Sequence, residues 1–142
     1  MTTKRESILA AIKTTLAGTT GVGTRIWRSR VQALSRQESP AIVIEPISDA
    51  AEQNTSLPKL DWSLNVRVSV IVRGDVPDQQ ADATVESLHA KMMADLTLGG
   101  YAYDVQPTGV SFELVEADQP AGVIGCDFLV RYRTALADLT TD

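Results

Sequence analysis

Chemistry at a protein site needs reactive side chains in groups, and this sequence supplies few. His89 is the single histidine and Cys126 the single cysteine among 142 residues. A multi-histidine metal site, or a nucleophile served by a histidine and a second base, has no material beyond that one pair. Cys126 alternates with Ile124 and Phe128, which reads as a small core thiol. His89 follows Leu88 in a helical stripe, a boundary or solvent position. The run GTTGVG at 18–23 follows a helix instead of joining a strand to one, and no Lys-Ser/Thr completes a phosphate cradle, so it reads as a loop. Met92 and Met93, with Leu88 and Leu96, are ordinary helix packing. The expectation is a chain with no catalytic residue, no cofactor and no metal.

One basic group stands out. Between Gly23 and Glu38 lie Arg25, Arg28, Arg30 and Arg36 with no acid among them, and Trp27 sits inside the group. Arg and Trp are enriched at interface hot spots; the alternative is a solvated loop with its aromatic anchored in the core, and the residues alone leave both open. The same arginines could meet phosphates, but the net charge is -5, the pI is near 4.8, and no recognition module is present. Sequence-specific nucleic acid is not expected.

The composition, 44% apolar and 22% charged, is that of an ordinary globular protein, and the length suits one domain, 1–142. No run reaches the roughly 18 apolar residues of a spanning helix, and the N-terminus shows no export pattern. Neither a membrane nor secretion is expected; synthesis in the cytoplasm is, and a lone cysteine is compatible with a reducing compartment.

The elements follow from periodicity. Ile8, Leu9, Ile12 and Leu16 predict an amphipathic helix over 3–17, with Thr3 and Glu6 as a capping box and Gly18 as its stop. The next stretch, RIWRSRVQAL, alternates only loosely and reads as extended or irregular. The β-branched run inside SPAIVIEPI predicts a strand at 41–45, and 46–59 reads as a long loop or hairpin tip. Residues 60–74 place Leu60, Trp62, Leu64, Val66, Val68, Val70 and Val72 on one face of a long strand, with Asp61, Asn65 and Arg67 on the other. Asp75 and Pro77 open a second helix whose stripe is Ala81, Val85, Leu88, Met92 and Leu96, closed by Gly99 and Gly100. VSFELVE, alternating Val110, Phe112 and Leu114, and VIGCDFLVRYRT then predict an antiparallel hairpin. The fold class is α+β: a four-stranded, mainly antiparallel sheet with two helices on one face. About thirteen extended residues span roughly 40 Å, which predicts a hairpin projecting beyond the body. Asp61, Asn65, Arg67, Asp127, Arg131 and Arg133 should share the bare face.

In this order of elements the sequence resembles the tail terminator, or tail-completion, proteins of long-tailed bacteriophages, of the minor tail protein U kind. The resemblance rests on the opening helix, SPAIVIEP, the polar segment leading into a long alternating strand, the second helix, and the ending FLVRYRTALADL. Its motifs are short. It implies a virion protein without enzymatic activity, made in the host cytoplasm and residing in the tail. Such a protein forms a ring, typically a hexamer, on the head-proximal end of the tail tube, stops tube polymerisation and meets the head connector. On that reading Arg25, Trp27, Arg28 and Arg30 are candidates for subunit contacts, and the loop from Asp49 through Glu52 to Asn54 for the tube or connector. The mixed-charge face of Asp61, Arg67, Asp127, Arg131 and Arg133 completes the interface set. Another head-tail joining protein is the nearest alternative. A small-molecule-binding α+β domain is a further one, set back by the almost wholly aliphatic and aromatic inward positions.

Overall fold

The computed structural model describes residues 2–29, 40–115 and 121–141. In chain order they form α1 (Lys4–Leu16), β1 (Ile26–Arg28), β2 (Ala41–Glu52), β3 (Lys59–Arg73), α2 (Pro77–Ala94), β4 (Asp104–Val115) and β5 (Ala121–Ala135). The class is α+β, as expected, but the sheet has five strands in the order β1-β2-β3-β5-β4. It is mixed: β1 runs parallel to β2, with Ile26 opposite Ile42 and Arg28 opposite Ile44. Three residues are too few to show a period of two, which is why this strand is hard to see in the sequence.

The long strand is as predicted, unbroken, and it lies at the centre of the sheet. Leu64, Val66, Val68, Val70 and Val72 are buried along one face. Their neighbours on β5 at the same level are Val130, Phe128, Cys126, Ile124 and Gly122. Ile42 and Ile44 extend this apolar layer across β2, and Ile8, Leu9, Ile12 and Leu16 of α1 with Ala81, Leu88 and Met92 of α2 cover it. Burying two helical stripes on one sheet face is the main source of stability here.

Four local expectations need correction. β2 continues through Pro46 to Glu52, so the loop shrinks to 53–58. Pro46 is tolerated because β1 accompanies β2 only as far as Ile44, which leaves the outer edge of β2 without a strand partner among the described residues. Between Pro46 and Ser48 the register shifts by a bulge at Ile47, and the parity of inward side chains changes from even to odd. Secondly, the hairpin is not a two-stranded arm: β5 accompanies β3 from Lys59–Ala135 to Arg73–Ala121. The C-terminal segment closes that end, with Leu136 N–H donating to Pro58 O at 2.8 Å and Lys4 N–H to Leu139 O at 2.9 Å.

Thirdly, α2 is capped at Val76 without a side-chain hydrogen bond, and not by Asp75; Pro77 occupies its first turn. It ends at Ala94, so Leu96 is exposed while Leu98, in a left-handed turn before Gly99 and Gly100, is buried. Thr84, more than Val85, carries the inward stripe, its hydroxyl donating to Thr20 O at 2.9 Å. Finally, Thr3 caps α1 by accepting from Glu6 N–H at 3.2 Å, but the Glu6 carboxylate is engaged elsewhere and the reciprocal half of the capping box is not seen.

Phe128 is fully buried at the centre of the layer. Phe128→Ala is expected to cost about 3–5 kcal/mol, read as a lower urea midpoint with an unchanged slope.

Candidate assembly surfaces

The sheet face away from the helices gathers most of the charged candidates, as the strand parity predicted. Arg67 and Asp127 are ladder partners and form an ion pair at 2.9 Å. Asp61 and Arg133 do the same at 2.7 Å. Asn65 donates to Ser48 Oγ at 3.0 Å. Asn54 donates to Asp61 Oδ2 at 3.2 Å and Glu52 Oε2 at 3.4 Å, bridging two acids that face each other across the β2–β3 ladder. Arg131 is exposed on this face, level with Ser63 and Asp104. Arg133, and then Asn54, hold the Asp61 carboxyl below its ordinary range. Cross-strand pairs in this setting are worth about 0.2–1 kcal/mol each, so a partner's charges could replace them at little cost.

Asp49 is placed differently from expectation. It is in β2, past the bulge, with its side chain only 10% exposed. Arg5 of α1 donates to its Oδ2 at 2.7 Å, and the Tyr132 hydroxyl donates to the same oxygen. Trp62 stacks on Tyr132 with centroids 6.0 Å apart, the Arg5 guanidinium lies 5.7 Å from the Trp62 ring, and Trp62 Nε1 donates to Thr134 Oγ1 at 2.9 Å. Burial, reinforced by Asp49, raises the Tyr132 hydroxyl well above its ordinary range. This cluster staples α1 to β2, β3 and β5. The Asp49 carboxylate is thus committed to contacts within the chain.

The arginine group is likewise divided. Arg28 makes a two-pronged ion pair with Glu6, at 2.7 and 2.6 Å, locking β1 to α1. Arg28 in turn holds the Glu6 carboxyl below its usual value. Arg25 donates to Pro40 O at 2.9 Å and Gly21 O at 2.7 Å, fixing the turn before β1. Trp27 is half-buried at the level of Val43, on the face opposite the helices. Arg30 and Arg36 lie outside the described residues.

The remaining chemical candidates sit as the sequence suggested. Cys126 is buried, and burial pushes its thiol up to about 11. His89 lies with its ring 6.5 Å from that of Phe128. In the 18–23 turn the Thr19 and Val22 amides donate to Leu16 O and Thr19 O, as in a structural connector. Among the described residues no cluster of three His, Cys, Asp or Glu could hold a metal ion, and no helix is long and apolar enough to cross a membrane.

A surface feature the sequence hid is on β4. Val110, Phe112 and Leu114 stand 52%, 69% and 73% exposed, although they share the face of Cys126, Ile124 and Gly122. Their alternation is that of a core strand. Nothing in it signals that the first turn of α2 lies over β5, where Pro77 packs against Gly122, while these three side chains of β4 stay exposed.

No protein-family model matches the sequence, and no curated protein does. The structure is similar to a chain of the virion of a native gene transfer agent particle, with a TM-score of 0.51 and 12% identity over 88% of this chain and 93% of that one. At that identity the likeness shows a shared fold.

Two outcomes follow from these contacts. Asp49→Ala, which strips Tyr132 and Arg5 of their acceptor, is expected to cost about 1.5–3 kcal/mol, measured by chemical denaturation. Glu6 titrates below its ordinary value of 4.5, so its contribution to stability is present above that pH and is lost as the pH falls through the lower folded value. Glu6→Gln should therefore lower the melting temperature at neutral pH, and the gap from the parent should close on acidification.

Proposed function

We propose that this protein is a structural component of a phage-like virion that assembles as a ring, of hexamer type, on the head-proximal end of the tail tube, halting tube growth and presenting a surface to the head connector. The observation carrying this reading is the fold shared along nearly the whole chain with a component of a gene transfer agent virion. The order of elements that resembles tail terminators supports it, as does the face on which Asp61, Arg67, Asp127, Arg131 and Arg133 lie together. In this reading the chain does no catalysis, and its working surfaces are the charged sheet face and the sheet margins. The likeness speaks to a virion and to no station within it, which favours keeping a head-tail connector as the second reading.

Purified chain added to polymerising tube protein is expected to yield tubes of arrested length with extra density at one end by electron microscopy, and the effect should weaken as salt screens the polar contacts. Tube length unchanged at saturating chain, with no end-bound density, would overturn the reading. Labelled chain found at the head portal of tail-less particles would favour the connector.

A further inference from the structure

The two margins of the sheet differ in shape and charge. On one, β4 has a register shift between Pro107 and Gly109, and beyond it runs the stripe of Val110, Phe112 and Leu114. Among the described residues no strand pairs with its outer edge. An unpaired edge beside exposed apolar side chains is a surface that natural proteins ordinarily blunt or cover. Residues 104–115 contain Asp104 and Glu113 and no base. At the other margin, beside β1, Lys13, Ala17, Gly18, Gly23, Thr24 and Ile26 line a mainly apolar groove of about 420 Å³, inside the ~300–1,000 Å³ range of clefts that receive a ligand group. Residues 13–29 contain Lys13, Arg25 and Arg28 and no acid; Glu6 of α1 pairs with Arg28, so Lys13 and Arg25 carry the margin's net positive charge.

We propose that β4 of one copy docks against the α1–β1 margin of the next, with Phe112 entering the groove and Glu113 facing the basic margin. The occupant is a second copy of this chain, because one molecule holds both complementary halves, an acidic strand with an apolar stripe and a basic margin with an apolar cleft. Two β4 strands paired with each other would bring together two acidic strands with no base on either, the nearest one being Arg131 of β5, level with Asp104. A contact between two different margins is heterologous, so it repeats from copy to copy and can close as a ring. The inference deepens the proposed ring and rests on reading the chain as a self-assembling virion part.

The test uses two surface variants of the full chain, Phe112→Asp, which spoils the strand, and Thr24→Glu, which spoils the groove. Mass in solution is measured across a concentration series. The parent should form species larger than a dimer, and each variant alone should associate at least tenfold more weakly. An equimolar mixture should form heterodimers and go no further, since it retains one intact strand and one intact groove. Parent-like assembly by either variant, a mixture that stays monomeric, or a parent that stops at a dimer or never associates would overturn the docking. Melting curves verify that each variant is folded, and Leu114→Asp replaces Phe112→Asp if that variant is not. A parent that assembles as described but leaves tube length unchanged fails the virion reading alone; a monomeric parent that still caps tubes fails the docking alone.

Discussion

The full-length ladder between β3 and β5 is the constraint on which the molecule depends. Fifteen consecutive pairs, from Lys59–Ala135 to Arg73–Ala121, hold the two strands in one register. That register sends Val66, Val68 and Val70 with Phe128, Cys126 and Ile124 toward the helices, and Arg67 with Asp127 to the other side. A slip of one residue would exchange the two faces completely. The apolar layer under the helices and the charged face opposite are therefore consequences of a single pairing.

The outer strands obey this frame only in part, and both depart from it at a bulge beside a proline. In β2 the shift after Pro46 turns Asp49 inward, where Arg5 and Tyr132 receive it. In β4 the shift after Pro107 follows the last buried residue, Val105, and the strand then leaves the cover of the helices. Each outer strand thus has one half committed to the core and another half that does something different. In β2 that half anchors α1, and in β4 it faces outward.

This explains which features could be read from the sequence. The central strand, both helices and the charged face were legible because strict alternation and 3.6-residue spacing survive wherever burial is continuous. Arg67, Asp127, Asp61 and Arg133 were grouped correctly because parity alone brings them together. β1 was not legible, since three residues carry no period. Asp49 was misplaced because a bulge inserts one residue without any mark beyond Pro46. Arg25 and Arg28 were legible only as a basic group, since their intramolecular partners, Pro40 O, Gly21 O and Glu6, come from distant or backbone positions that composition does not reveal. The exposure of Phe112 depends on where α2 lies relative to the sheet, which is a tertiary fact.

The bulge at Ile47 also has a bearing on how such a fold can vary. Because the strand's phase is reset there, the distal part of β2, with the 53–58 turn and the facing part of β3, behaves like a separate reading frame. Residues gained or lost in matched pairs beyond Glu52 would change the reach of that end while leaving Ile42, Ile44 and the Asp49–Arg5 contact with α1 in place. The tip is thereby open to change in length without repacking of the interior.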